Sequence, residues 1–324
     1  MSNFSFLQSC KNVCDDDFYQ LMQNIESKTV LELLNDAIKS AQDWIETDCE
    51  YYESLFEMYK NWYGINDFAM EPNFIQCFGG LYDFLKSNVH NLYKLYDIFT
   101  DYRSKYTMKT IVQHWLTFSP DIRKYGIEST FPQYFDLDII RCDENEVFVD
   151  CGGYVGDTVE AYLSFYGNRY KSIYSYEITT SNFEIAKHKL KDVKRLFLRN
   201  VGVSDANAIH KLLEVGTHGI GNRLHEDGNI ECSTVRIDDD ISEDITFIKM
   251  DIEGGEINAL EGARNQIQKN RPKLAIALYH NRSDLIEIPQ YINKITSGYK
   301  FYLRNYSLEN FPFPTEYVLF AMPC

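Results

Sequence analysis

The stretch VFVDCGGYVGDT, residues 147–158, decides how this chain folds. An apolar run, Val147 to Val149, ends on Asp150 and passes through Gly152, Gly153 and Gly156 into the helical pattern TVEAYLSFYG. The segment therefore reads as a strand that crosses a glycine turn into a helix. Glycines in such a turn let a ligand approach the backbone, and the helix start offers N–H groups to a carboxylate or phosphate. A glycine turn in an α/β protein is equally compatible with a purely structural role. The dinucleotide fingerprint G-x-G-x-x-G needs glycine where this chain has Cys151, so the match to an NAD site is imperfect.

Downstream the same texture repeats. SIYSYE, RLFLRNVG, ITFIKMD, KLAIALYH, YKFYLRNY and EYVLFAMP read as strands, and NFEIAKHKL, EINALEGARNQIQ and IPQYINKI as helices between several of them. Near-continuous apolar strands alternating with helices predict a mostly parallel seven-stranded sheet with helices on both faces, a Rossmann-like α/β fold. Ligands bind such sheets beyond the carboxyl ends of the strands, and there the chain carries Asp150, Glu177, Asn200, Asp251 and His280. Upstream, apolar residues recur at helical spacing from Leu31 to Phe99, which predicts an α-helical N-terminal region over residues 1–120. Residues 121–144 then form a connection, and 145–324 the ligand-binding domain. The aromatics of the helical region, Trp44, Trp62 and Trp115 included, fit core packing better than a stacking surface.

Glu177 ends the second strand, 21 residues beyond Gly156, where a carboxylate accepts hydrogen bonds from both hydroxyls of an adenosine ribose. NAD and S-adenosylmethionine both satisfy that pair of features. FIKMDIEGGEINALEGA, residues 247–263, separates them by charge, because Asp251 and Glu253 place a D-x-E pair at the sheet edge. S-adenosylmethionine brings an ammonium and a sulfonium, a dinucleotide an anionic pyrophosphate, and acidic strand ends suit the cation. Glu256 and Glu261 read as the N-terminal acid and the exposed face of the next helix, with no chemistry assigned.

The composition narrows the partners. With 324 residues and a net charge of −16, the chain lacks the basic face that nucleic-acid binding requires, and an acidic membrane surface is disfavoured likewise. No run of 18 apolar residues predicts a membrane span, and the first 20 residues do not read as an export signal. Eight scattered cysteines without a CxxC pair fit reduced thiols in a cytoplasm.

VFVDCGGYVGDT, IYSYEITTSNFEIAKHKL, NVGVSDA, FIKMDIEGGEINALEGA and RPKLAIALYH, in this order, closely resemble the FkbM family of S-adenosylmethionine-dependent methyltransferases. The resemblance covers roughly residues 130–324, while residues 1–90 match no pattern. It implies that Asp150, Gly152, Gly153, Gly156, Asp157 and Thr158 hold the methionine end of the cofactor and Glu177 its ribose. It implies that the segment with Asn200, Ser204 and Asp205 holds the adenine, and that Asp251 lies beside the ammonium or the acceptor. Gly153 stands where alanine is frequent, and Ile178 and Thr179 follow Glu177 where many members have proline.

Methyl transfer to a hydroxyl needs a base or metal beside the acceptor oxygen. His280 titrates near neutral pH and is the preferred base, Glu253 the competing one, and Asp251 with Glu253 is an alternative Mg2+ site. The expected activity is O-methylation of a small molecule, a carbohydrate or glycan precursor by family resemblance, with an NAD-dependent oxidoreductase or a non-catalytic homologue as alternatives. A homodimer is a further expectation for the N-terminal helices, and the glycine-rich insertion carrying His210, His218 and His225 is expected to form a hairpin and loop near the site.

Overall fold

The computed structural model describes residues 12–50, 52–55, 72–119, 132–213, 222–307 and 316–324, with backbone alone for 72–79 and 223. The chain divides into two compact units, Met1–Ser129 with Tyr302–Tyr317, and Thr130–Phe301 with Val318–Cys324.

The first unit is built on α1 (Val13–Ser27), α2 (Val30–Thr47), α3 (Pro72–Ile98) and α4 (Tyr102–Thr117). Their starts are written in the sequence. Asn12 accepts from the Asp15 N–H, Thr29 and Glu32 form a reciprocal capping box, and Asp101 accepts from the Ser104 N–H at 2.8 Å. Aromatic rings fill the interior: Phe18 stacks on Tyr96 with centroids 3.9 Å apart, and Trp44 lies parallel to Tyr52 while its indole N–H donates to the Thr117 carbonyl. Trp62 lies outside the described residues. Buried Arg304 grips Asp101 with both terminal guanidinium nitrogens and Ser104 Oγ at 2.9 Å, tying Arg304 to the start of α4.

The second unit holds β1 (Val147–Cys151), α5 (Asp157–Tyr166), β2 (Ser172–Tyr176), α6 (Thr180–Lys189), β3 (Leu196–Arg199), β4 (Gly202–Val203), β5 (Ala208–Leu213), β6 (Arg223–Leu224), β7 (Ile230–Val235), α7 (Ile237–Asp240), β8 (Phe247–Met250), α8 (Glu256–Gly262), α9 (Arg264–Asn270), β9 (Lys273–Ala277) and α10 (Asp284–Ile295), with the start of β10 (Tyr299–Asn305) and all but the first residue of β11 (Tyr317–Pro323). Seven strands form one sheet in the order β10-β11-β9-β8-β1-β2-β3, with helices on both faces. The pairs from β9 to β3 are parallel, and β11 runs antiparallel to β9. The mostly parallel seven-stranded Rossmann-like sheet expected from the apolar runs is the one that forms. Every residue of β1 and β8 is buried, as a strand covered on both faces requires. Phe148 stacks on Phe247 and on Tyr162, with Phe135 edge-on to all three, so the two central strands share one aromatic core.

In the insertion after β3 the consecutive strands β5 and β6 pair antiparallel as the expected hairpin, and β7 and β4 extend it to a four-stranded sheet, β4-β7-β5-β6, with β7 antiparallel to β5 and β4 parallel to β7. His210 lies on β5 and His225 just beyond β6, while His218 falls outside the described residues. Among the described residues no helix is long and apolar enough to cross a membrane.

Candidate active site

Parallel pairing of β1, β2, β8 and β9 brings their carboxyl ends to one edge. At β1 the chain turns at Gly152, φ +83°, a conformation that glycine adopts without strain. A side chain is excluded there on steric grounds as well, because a Cβ would stand 1.8 Å from the Asp251 carbonyl oxygen. The N–H groups of Gly152 and Gly153 both donate to the Tyr176 carbonyl, at 3.0 and 2.8 Å, which pins the turn to the end of β2. A Cβ at Gly153 would press to 2.3 Å from Ser175 Oγ, the hydroxyl that donates to Asp150, so alanine does not fit this turn as it stands. Gly156, φ +86°, starts α5, followed by exposed Asp157 and buried Thr158.

Beneath the turn lies a buried ion pair. Lys249, in the middle of β8, sits 3.1 Å from Asp150 Oδ1 and donates to the Gly152 carbonyl at 2.6 Å. Burial pulls the Lys249 pKa down, but the charges of Asp150 and Asp251 outweigh it and hold the ammonium above its ordinary value. The lysine therefore stays charged beside Asp150, whose own pKa burial pushes up while Lys249 and Ser175 pull it back.

Glu177 follows β2 and is itself gripped: Oε2 accepts from the Tyr154 N–H at 2.8 Å and Oε1 from the Thr179 N–H at 2.7 Å. Burial nevertheless pushes its pKa up, with those two backbone donors pulling it back. Each oxygen retains a second lone pair, so the carboxylate is oriented for two further donors. Asn200 serves as a tie, its amide donating to the Glu177 carbonyl at 2.9 Å and its oxygen accepting from the Thr180 hydroxyl.

The acidic edge is centred on Asp251. Tyr134 donates to Oδ2 at 2.7 Å, Tyr279 to Oδ1 at 3.2 Å, and His280 Nε2 also lies 3.2 Å from Oδ1. His280 Nε2 is 3.6 Å from Glu253 Oε2, and its Nδ1 is 2.9 Å from Glu256 Oε1. Desolvation lowers the His280 pKa, but the hydrogen bonds and charges of Asp251 and Glu256 outweigh it and push it up to about 11. These surroundings favour the imidazolium, which has no lone pair to take a proton, and so weigh against the expected role of His280 as the general base. Burial raises the Asp251 pKa, but His280, Lys249 and Tyr134 together depress it well below the usual carboxylate range.

The structure thus brings Asp150, Gly152, Gly153, Glu177, Asp251, Glu253 and His280 to one edge. Ser204 and Asp205 belong to other contacts: the Ser204 N–H donates to the Val235 carbonyl, and the Asp205 carbonyl accepts from Arg236, both within the second sheet and its flank. Three residues that sequence reasoning assigned no chemistry stand in the cluster, Tyr134, Tyr279 and Glu256. Tyr279 precedes His280 and Glu256 lies within D-x-E-G-G-E, so both carried a positional signal; Tyr134, in an irregular segment at φ +73°, carried none. Among the described residues no three His, Cys, Asp or Glu side chains are arranged to hold a metal ion.

A family model described as the methyltransferase FkbM domain matches residues 150–301. Among solved structures, methyltransferase FkbM from Methylobacillus flagellatus KT is 25% identical with a TM-score of 0.61, the match covering 74% of this chain and 60% of that one. This chain therefore spans less than two thirds of that relative's length. An rRNA methylase from Streptococcus thermophilus is 14% identical, with a TM-score of 0.37, over 56% of this chain and 89% of its own, too loose a likeness to bear on function. Comparison with curated proteins returned no match. The family match begins on the last residues of β1 and takes in the glycine turn, the acidic edge and β9, so the residues that match the methyltransferase FkbM domain are those that build this edge.

Proposed function

We propose that this chain transfers a methyl group from S-adenosylmethionine to a hydroxyl of a small molecule, a carbohydrate or glycan precursor. The observation that carries the reading is Glu177, whose carboxylate is fixed by the Tyr154 and Thr179 N–H groups beside a turn where Gly152 leaves no space for a Cβ. A ribose with two adjacent hydroxyls suits that carboxylate, and the acidic edge beyond it suits a cationic methionine end. The cradle therefore fits the cofactor.

Glu177 would hold the ribose, the turn from Asp150 to Thr158 the methionine end, and the segment at Asn200 the adenine. Asp251, ionised and aimed by the Tyr134 and Tyr279 phenols, would face the ammonium. S-adenosylmethionine supplies an electrophilic methyl carbon when bound. The acceptor's proton falls to Glu253, whose side chain is a third exposed and follows directly from the turn after β8, since His280 has no lone pair to offer. A hydroxyl acceptor suits an edge of carboxylates and phenols, which accept and donate hydrogen bonds without needing a charge on the substrate. A Mg2+ ion on Asp251 and Glu253 is disfavoured, because the His280 imidazolium already lies 3.2 and 3.6 Å from those two carboxylates.

The test is incubation of the purified protein with isotopically labelled S-adenosylmethionine and fractionated small-molecule extracts, followed by mass spectrometry. Label on a sugar oxygen supports the reading. Label on nitrogen or carbon contradicts the hydroxyl acceptor.

A further inference from the structure

Glu256 opens α8 and is fully buried. One of its oxygens, Oε1, accepts two hydrogen bonds, from the Ile252 N–H at 3.0 Å and from His280 Nδ1 at 2.9 Å. The first closes the turn in which Glu253 sits at φ +57° and Gly254 at φ +96°, a left-handed pair that non-glycine residues such as Glu253 rarely join without support. The second fixes the plane of the His280 ring, and that plane places Nε2 against Asp251 and Glu253. A single oxygen thus sets the backbone that carries Glu253 and the cation that lies between Glu253 and Asp251. Nδ1 is thus hydrogen-bonded to Glu256, while buried Nε2 makes no hydrogen bond among the described residues and faces Asp251 and Glu253 as a charge contact.

We propose that Glu256 is a positioning residue: it holds His280 as an imidazolium between Asp251 and Glu253, and thereby aims the two carboxylates that face cofactor and acceptor. This rests on the methyl-transfer reading above. The charged and titratable groups around His280 are Asp251 at the end of β8, Glu253 in the following turn, Glu256 on α8 and Asp284 on α10, with the Tyr279 phenol beside them and Lys249 acting on Asp251 from the opposite side. The remaining Glu256 oxygen, Oε2, is buried and makes no hydrogen bond among the described residues. Glu256→Gln therefore keeps the acceptor at Oε1 and removes the charge, while its amide NH2 takes the buried, unpartnered place of Oε2.

The experiment uses the full chain. Imidazole resonances are followed against pH by nitrogen-correlated NMR, with His280 assigned by its loss in His280→Gln, and kcat is profiled over the same range. In the wild type His280 stays doubly protonated beyond about pH 9. In Glu256→Gln its titration moves down by ~1 pH unit or more, and kcat falls with that same midpoint. Glu256→Asp, which keeps the charge but retracts it, leaves His280 protonated and lowers kcat. An unshifted His280 titration in Glu256→Gln, or a shifted titration with an unchanged kcat profile, overturns the proposal. Should Glu256→Gln fail to fold, Glu256→Asp decides, and wild-type kcat in that variant overturns it. S-adenosylhomocysteine binding to the wild type reports separately: its absence sinks the methyl-transfer reading, while the imidazole titration still decides whether Glu256 holds the His280 charge.

Discussion

A Cβ on Gly152 would lie 1.8 Å from the Asp251 carbonyl oxygen, so the turns after β1 and β8 touch with no room for a side chain between them. Gly152→Ala must move one turn off the other and also accept φ +83°. The expected loss is about 3 kcal/mol, from left-handed strain of about 1–2 kcal/mol and overpacking of about 1–3 kcal/mol. Urea titration of the variant checks this; a loss no larger than the left-handed strain alone would show that the contact between the turns is not tight.

Stability should depend on pH through His280. Its pKa is raised from 6.5 to about 11 in the fold, so its contribution is complete below 6.5 and lost as pH climbs toward 11. Asp251 acts in the opposite direction: its pKa is depressed, so its contribution is present above 3.8 and lost as pH falls below that value. Asp284, raised to about 6, adds stability that disappears as pH rises through that point. The urea midpoint of the wild type should fall between about pH 7 and 11, and His280→Leu should show a shallower fall over that window. Parallel curves would mean that His280 is neutral in the native state.

Tyr134 donates its phenol to Asp251 Oδ2 at 2.7 Å from a residue held at φ +73°. A bulky side chain persists in that conformation only where its surroundings hold it, and here the phenol, under the Lys249 ammonium, is part of what holds Asp251. Tyr134→Phe should weaken S-adenosylhomocysteine binding by about tenfold, the value of a hydrogen bond to a charged group. Tyr162→Phe, whose phenol bonds the Arg169 carbonyl, should leave that affinity unchanged. Identical affinities in the two variants would remove Tyr134 from the site.

The seven strands of the main sheet were legible because each is a short apolar run ended by a polar residue or glycine, and strand ends name the edge where Glu177, Asp251 and His280 meet. The second sheet was not. Its β4 and β6 are two residues long, and β5 and β7 leave Ile209 and Ile230 exposed, so no buried stripe marks them. Glu256 misled for a different reason: an acid at the first position of a helix is fully explained by the helix dipole, and its partner His280 is 24 residues away. The charge of His280 was hidden as well. Its ordinary pKa suggests a base, and only the fold shows carboxylates converging on both ring nitrogens.

The central claim, that the carboxyl edge of this sheet is a cradle for S-adenosylmethionine, is tested most directly by calorimetric titration of the full chain with S-adenosylhomocysteine. The expected result is one site per chain and an affinity reduced by about 10- to 100-fold in Glu177→Ala, the loss that follows from removing hydrogen bonds to a charged carboxylate. Folded wild-type protein that shows no binding, or Glu177→Ala that binds as tightly as the wild type, would contradict it.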